Sequence, residues 1–513
     1  MIEEAHHAAV ADTIAWLETN AVFTRVGAGG ALTVETHGLI AAAFDHWESR
    51  AGDPDLHTHA AVANKVRARL DNPDGSPRWL AIDGRALYAA AVAASERYNT
   101  LVEDGVRHRL GVSFTARADT VRRDARPVRE IVGVPATLVK HFSRRRLAVE
   151  ARYHQLLRAH RAAHGEPDRG VRQRLAQQAT LETRQVKAAP VRLADQLARW
   201  RAETEAFLGA DGVARLLADT LATPSQAGVA HDAVDADALA DAVVATLEEE
   251  RSTWSRFNLL AEVQRQTRPV PVASPADREA LVTAVAARAV SPARSLRIAR
   301  PQLEPVPRQL QRSDGSPMAD QPAAERYTTR RILHAETDLL DAAREHTPIA
   351  VPPALARGAI AELERAGGVR LDAGQRRLAE RFATDQRRLV LAIGPAGAGK
   401  TTALRAACAA WAAAGRRVIP LATSAAAAEV LAHDLGQRAE NLHKYTHELD
   451  RPARPGHPSL DDFYTLRAGD VLLVDEAGMA GTLRLHTLLT HARAAGAHLR
   501  LIGDPPQLGA VEA

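Results

Sequence analysis

A chain of 513 residues with 46% hydrophobic and 25% charged residues has the make-up of ordinary globular protein, which excludes disorder throughout. Its length accommodates roughly three domains of about 150 residues each. The formal charge of +4 and isoelectric point near 9.4 permit nucleic-acid binding without establishing it, because only 5 of the 66 basic residues are lysine and a GC-rich genome yields arginine as readily as phosphate recognition does.

The single cysteine, Cys408, rules out a disulfide framework and fits a reducing compartment. The first residues contain two glutamates rather than a basic then apolar leader, and no apolar run reaches the length of about 20 residues needed to span a bilayer. A cytoplasmic protein without membrane insertion is expected.

From Met1 to about Arg146, short β-like and helical segments alternate with turns such as Gly27-Ala-Gly-Gly30 and Asn72-Pro-Asp-Gly75, which predicts an α+β unit. Within it lies His46-Trp-Glu-Ser-Arg50-Ala-Gly-Asp53-Pro-Asp-Leu-His57-Thr-His59. Residues two apart on a strand face the same way, so His57 and His59 can offer two imidazoles to one ion, with His46 supplying a third from a neighbouring element. Three neutral imidazoles leave open positions for an oxygen ligand such as a scissile phosphate, where the ion acts as a Lewis acid. Spacing alone leaves two alternatives open, this metal site and a chance His-x-His in a chain with 21 histidines.

From Leu147 to about Leu208, apolar residues recur at helical spacing among many charges (Leu156, Leu157, Leu193, Leu197, Trp200), which predicts long exposed helices acting as a connector. Helical patterns continue from about Asp232 to Gly368, interrupted by Pro269, Pro271 and Pro275 and by a polar, Pro-containing loop over Arg300–Pro322. After Leu371 the texture changes to short apolar runs, Leu389–Ile393, Val418–Leu421, Val471–Val474 and Leu499–Ile502, separated by helical stretches. That alternation predicts a parallel sheet with crossover helices.

The run Gly394-Pro-Ala-Gly397-Ala-Gly399-Lys400-Thr401 meets the phosphate-loop pattern between a strand candidate and a helix candidate, Ala403–Ala414. Glycines let backbone N–H groups turn inward on a polyphosphate, and the helix N-terminus adds a favourable partial charge. Gly394, Gly397, Gly399, Lys400, Thr401 and Thr402 are therefore the expected nucleotide-binding set, with Lys400 reaching the β- and γ-phosphates and Thr401 on Mg²⁺. Val471-Leu-Leu-Val-Asp475-Glu476 ends a strand in two acids at the edge where such sheets bind ligands; Asp475 is expected to hold Mg²⁺ and Glu476 to orient or deprotonate the attacking water. Leu501-Ile-Gly-Asp504-Pro-Pro-Gln507 ends another strand, with Gln507 placed to sense the γ-phosphate.

With these motifs in order, the C-terminal part resembles superfamily-1 helicases of the RecD/TraI type. The resemblance makes Gly394–Thr401 motif I, Leu421-Ala-Thr423-Ser424 a motif Ia contacting single-stranded DNA, Asp475-Glu476 motif II and Gly503–Leu508 motif III. It also places Gln375, in Leu371-Asp-Ala-Gly-Gln375, where that group has an adenine-contacting glutamine. The segment His46–Asn64 is similar to the metal-binding segment of MobF-family conjugative relaxases of the TrwC/TraI kind, which join a DNA-nicking HUH domain to such a helicase. Further agreement comes from Ile82-Asp-Gly-Arg85, Phe142-Ser-Arg-Arg-Arg146, Thr183-Arg-Gln-Val-Lys187 and Tyr327-Thr-Thr-Arg-Arg-Ile-Leu-His-Ala-Glu336.

The fold implied is α/β: an α+β HUH-relaxase remnant over residues 1–146, an α-helical connector and pre-motor region over 147–370, and a RecA-like P-loop motor domain with a parallel sheet over 371–513. The resemblance implies ATP and Mg²⁺ in the motor, a divalent metal on His46, His57 and His59, and DNA contact through Arg50, Arg144 and Thr423. Its implied partners are single-stranded and plasmid oriT DNA and proteins of the conjugation machinery.

Relaxases of that family attack DNA with tyrosines ahead of the histidine segment, whereas here the first tyrosine is Tyr88, and the sequence stops at Ala513 just past motif III. The expectation is a fragment that binds nucleotide but hydrolyses it poorly and lacks the nucleophile for strand transfer. Two other readings stay open on sequence: a RecD-like repair helicase with an N-terminal binding module, and a nonenzymatic DNA-binding remnant.

Overall fold

The structure, a computed structural model, describes residues 1–117, 128–165, 167, 169–185, 191–222, 227–299, 305–322, 324–347, 351–367, 370–394, 399–450 and 461–503. Two compact units divide the chain: Met1–Val244, Ser255–Ser291 and Ala299–Arg326 make the first, and Ala245–Trp254, Pro292–Ile298 and Tyr327–Ala513 the second.

The first unit opens with helix α1 (Ile2–Asn20), followed by strands β1 (Phe23–Val26) and β2 (Leu32–Glu35), which pair antiparallel. Next comes the longest ladder of the unit, β3 (Ala41–Glu48) against β4 (Pro54–Val62), also antiparallel. Short strands β5 (Val66–Arg67) and β6 (Trp79–Leu80) lead to the 27-residue helix α2 (Gly84–Leu110). The Asp83 side chain caps the start of α2 by accepting from the Arg85 N–H, and Gly111, in the left-handed region at φ 69°, ends it. Strands β7 (Phe114–Ala116) and β8 (Arg129–Ile131) precede α3 (Ala136–His141), α4 (Arg144–His164), α5 (Arg169–Glu182), α6 (Leu193–Leu208) and α7 (Gly212–Ala222). The long exposed helices expected between Leu147 and Leu208 are thus present, and few of their side chains, Leu157 and Trp200 among them, are buried. Helix α8 (Ala236–Glu250) and strand β9 (Trp254–Ser255) are followed by α9 (Arg256–Thr267) and α10 (Pro275–Ala289).

Small residues let helices α1, α2 and α9 approach closely: Ala21, Ala90, Ala93 and Ala261 share a core with Phe257. A charged layer joins α2 to α10, with buried Arg278 bidentate on Asp104 at 2.6 and 3.0 Å and Arg107 on Asp104 at 2.8 Å. Removing either acid or base from so buried a cluster strands a charge, which is why its members fix the packing of α2 on α10.

After β10 (Leu296–Ile298) and β11 (Arg326–Thr328), the second unit contributes α11 (Arg330–Ala342), α12 (Pro353–Gly367) and α13 (Ala373–Thr384). Its central sheet holds β12 (Leu389–Ile393), β13 (Val418–Ala422), β14 (Glu440–Asn441), β15 (Val471–Asp475) and β16 (His498–Gly503), all parallel, in the order β12-β16-β15-β13-β14. Between them run α14 (Lys400–Ala413), α15 (Ala425–Leu435), α16 (Leu442–Leu449) and α17 (Thr482–Ala495). The four apolar runs expected to be strands are strands, in the expected parallel arrangement; the two-residue β14 carries no apolar run that could have announced it.

Both faces of this sheet are covered, as parallel strands require. Leu472 and Val474 of β15 enter a core with Leu488, Leu489 and Ala492 of α17, whereas Val471 and Leu473 enter another with Leu404, Ala407 and Trp411 of α14. The strand alternation therefore splits one apolar run between two cores.

Candidate functional site

Strand β12 ends at Ile393, which pairs with Gly503 at the end of β16, and the Gly394 N–H donates to the Gly503 carbonyl at 3.1 Å. Gly399 takes φ +67° and opens α14, so the helix N-terminus points back toward the strand end it follows. The Lys400 ammonium donates to the Gly394 carbonyl at 2.9 Å and thereby spans the mouth of the turn. Thr401 and Thr402 sit in the first turn of α14, half-buried. Gly397 lies outside the described residues, as do Asp504 and Gln507.

Gln375 stands against this turn. A methyl group on Gly399 would come within 2.2 Å of the Gln375 amide nitrogen, while the Gln375 amide oxygen accepts from the Asp372 N–H at 3.1 Å. The Asp372 carboxylate accepts in return from the N–H groups of Gly374 and Gln375, at 2.7 and 2.8 Å, completing a capping box at the start of α13. The helix cap thus holds Gln375 beside the glycine turn.

Two strands away from β12, β15 delivers Asp475 and Glu476 to the same carboxyl edge. Burial raises the Asp475 carboxyl above its ordinary range, and the Lys400 charge pulls the other way. Glu476 is raised too, first by burial and then by the like charge of Asp475, again opposed by Lys400. Lys400 therefore acts electrostatically on both acids. Glu476 also adopts φ 51°, a left-handed conformation costly for a residue with a side chain, and its N–H donates to the Asp475 carboxylate at 2.9 Å. Thr423 follows Ala422, the residue that pairs with Asp475 across β13 and β15, and is half-buried at that edge.

In the first unit, β3 and β4 place His46 directly opposite His57, and His59 two residues further along the same face. The ring centroids of His46, His57 and His59 are 5.3, 4.9 and 5.0 Å apart, and one nitrogen from each lies within 4.8 Å of the others. The His57 Nδ1–H donates to the Asp55 carbonyl at 2.8 Å, which leaves the Nε2 lone pair for an ion. Arg50 is exposed in the turn between the strands. Arg144 is engaged elsewhere, with its Nε on the buried Asp53 carboxylate at 2.5 Å and its Nη1 3.2 Å from Glu203.

The opposite face of the hairpin carries a set that sequence reading missed. Thr58 donates to the Asp45 carboxylate at 2.5 Å; His6 of α1 lies 2.7 Å from the Thr58 hydroxyl through Nε2 and 2.7 Å from the Tyr98 hydroxyl through Nδ1; His7 approaches Asp45 at 3.0 Å. Because the Thr58 proton is spent on Asp45, His6 Nε2 must donate and Nδ1 must accept from Tyr98. Burial, reinforced by His7, lowers the His6 pKa, consistent with that neutral tautomer. The available signal was period-2 alternation, since Asp45 and Thr58 each neighbour a cluster histidine and must face the other way.

A lysine that opens a helix and bonds the strand-end carbonyl of Gly394, with two acids at another strand end, defines a P-loop nucleotide-binding domain, and the first unit adds a hairpin with three convergent imidazoles. Residues 1–207 match the family described as TrwC relaxase, and residues 370–513 match the family described as AAA domain. Two stretches of the chain are thus similar to known families, the first to TrwC relaxases and the last to AAA domains. The probable conjugal transfer protein TraA of Sinorhizobium fredii is 32% identical over 197 residues, 37% of this chain and 16% of that protein. The conjugal transfer protein TraA of Rhizobium radiobacter is 36% identical over 126 residues, 25% of this chain and 10% of that protein. This chain thus spans about a tenth to a sixth of those relatives' length. Among solved structures, conjugative relaxase TrwC in complex with mutant oriT DNA shows 25% identity at a TM-score of 0.32, over 40% of this chain and 65% of that one. A metal-bound TrwC complex with oriT DNA gives 25% identity and the same TM-score over 39% and 62%.

Proposed function

We propose that this chain serves conjugative DNA transfer as part of a relaxase-helicase, holding a divalent metal on His46, His57 and His59 and ATP with Mg²⁺ at the 394–402 turn. One observation carries the reading: a single chain joins three imidazoles on one hairpin face to a phosphate loop faced by two acids. The relatives named for conjugal transfer and the match of residues 1–207 to TrwC relaxases support DNA as the substrate, which we take to be single-stranded DNA and oriT.

The three imidazoles fit a metal, since they share a face and offer nitrogens within 4.8 Å of one another. An ion held there supplies Lewis acidity to a phosphodiester. His57 keeps its ring orientation through the bond to Asp55, and Arg50 lies in the adjoining turn to meet a DNA phosphate.

In the motor domain, Lys400 exchanges the Gly394 carbonyl for phosphate oxygens, with Gly397 and the backbone of the turn around them. Thr401, Thr402 and Asp475 hold Mg²⁺ and the phosphates, and Gln375 meets the base. Raised toward neutrality by its surroundings, Glu476 takes a proton from water more readily than an ordinary glutamate, and Gln507 senses the terminal phosphate. Thr423, at the sheet edge, touches single-stranded DNA. Titration of a fluorescent ATP analogue tests the motor, with Lys400→Ala expected to weaken binding at least tenfold; unchanged affinity overturns the assignment. ATP hydrolysis stimulated by single-stranded DNA tests the coupling, and a flat response overturns it.

A further inference from the structure

Helix α11 carries His334 and Asp338 one turn apart on one face, and α17 packs against it with His486. The Asp338 carboxylate oxygen Oδ2 lies 2.7 Å from His486 Nε2 and 3.4 Å from His334 Nδ1. One nitrogen or oxygen from each of the three falls within 4.8 Å of the others. The geometry points to a second metal site here, a two-histidine, one-carboxylate clip that takes a divalent transition ion of the zinc class and ties α11 to α17.

The distances suit such an ion. Ligand atoms about 2.0–2.1 Å from a tetrahedral zinc are about 3.3 Å from one another. The His334–Asp338 pair already stands at that spacing, and the His486–Asp338 pair has to open by well under 1 Å. That small opening replaces the hydrogen bond between His486 and Asp338: the neutral imidazole then carries its one proton on Nδ1 instead of Nε2, so that Nε2 offers its lone pair as the ion enters. The backbones that present the ligands are fixed from below, because Leu339 and Leu485, each beside a ligand residue, pack on the core formed with Leu488, Leu489 and Ala492. Positive charge nearby does not occupy the carboxylate: Arg493 reaches only the Asp338 backbone carbonyl, at 3.5 Å, and places its Nε on Glu345 at 3.0 Å. The donor set, two imidazoles and a carboxylate with a coordination position open to solvent, is one that zinc and its neighbours accept.

The clip has a place in the motor domain. Helix α17 begins seven residues after Asp475, so an ion at His486 steadies the element that leads out of the acidic strand end. The site is independent of the hairpin histidines and does not rest on the conjugative reading.

The test uses the full chain with His46→Ala, His57→Ala and His59→Ala, which removes the hairpin cluster. Zinc is titrated against a chromophoric chelator, and cobalt is used to record visible d–d absorption. This background is expected to take up one tight zinc equivalent, to show the cobalt spectrum, and to gain several degrees in melting temperature on zinc addition. Adding His334→Ala, whose side chain is 75% exposed and so leaves packing intact, is expected to weaken zinc at least tenfold and to abolish the spectrum and the thermal shift. Asp338→Asn should do the same. The cluster of His6, His7 and Asp45 is present in every variant and cancels from the comparison. Equal zinc affinity with and without His334, or no tight zinc in the background, overturns the site.

Discussion

Replacing Gly399 by alanine tests whether the glycine turn is held as the structure shows. Two costs add. A left-handed φ of +67° costs a residue with a Cβ about 1–2 kcal/mol. The new methyl would also sit 2.2 Å from the Gln375 amide nitrogen, so Gln375 must swing away. Its swing sacrifices the hydrogen bond from Asp372 that completes the cap of α13, worth about 1 kcal/mol. The sum, about 2–3 kcal/mol, corresponds to roughly 30- to 150-fold weaker nucleotide binding if the turn must be restored for the phosphates to dock. Fluorescent ATP-analogue titration reads this directly, with circular dichroism to verify folding. In the Gly399→Ala, Gln375→Ala double variant the clash is gone and only the backbone cost remains, so the Gly399→Ala penalty measured on that background should shrink to about 1–2 kcal/mol. Wild-type affinity in Gly399→Ala, or an unchanged penalty when Gln375 is absent, would refute the described contact.

Changing His57 and His59 together to alanine should remove tight divalent-metal binding from the hairpin, read by calorimetric titration in the His334→Ala background; full retention of that binding contradicts the three-imidazole assignment. Asp53→Ala should lower the unfolding free energy of the first unit by about 1–3 kcal/mol, since its buried carboxylate ties the β3–β4 turn to the start of α4 through Arg144; the loss stays modest because Arg144, 45% exposed, regains water. The pH dependence of stability should reflect His498, which is 3% exposed and pushed down to about 4 by burial and then by Arg500. Between pH 6.5 and about 4 the unfolded chain binds a proton that the folded imidazole refuses, so stability falls as pH falls through that window, by roughly 3 kcal/mol at most. Urea midpoints measured across this range should decline less steeply in His498→Asn, and parallel curves would count against it.

The parallel sheet of the second unit was legible because each of its main strands is a short apolar run closed by a chemically distinctive turn. Val471–Val474 shows why: four apolar residues in succession suit a strand buried on both faces, and the acids that follow mark its end. The histidine hairpin was legible in part, since His57 and His59 share a face by alternation, but no sequence rule fixed His46 as the cross-strand partner of His57. What escaped were pairings between residues far apart in sequence. His6 meets Thr58 and Tyr98, and Arg278 meets Asp104, across separations that local periodicity does not encode. Arg500 escaped for another reason: an arginine in the middle of an apolar strand reads as a surface residue, yet it is buried and spends its N–H groups on the carbonyls of Phe382, Asp385, Arg387 and Arg388.

The β3–β4 ladder has two chemically different sides, imidazoles on one and the Asp45–Thr58 pair on the other. Deleting or inserting one residue within Leu56–His59 would exchange those sides along part of the strand, pointing Thr58 where a histidine belongs. Length changes in this hairpin are therefore tolerated in steps of two along the strand or at the turn around Arg50, which restricts how insertions can accumulate near the cluster and where a reporter tag can be spliced.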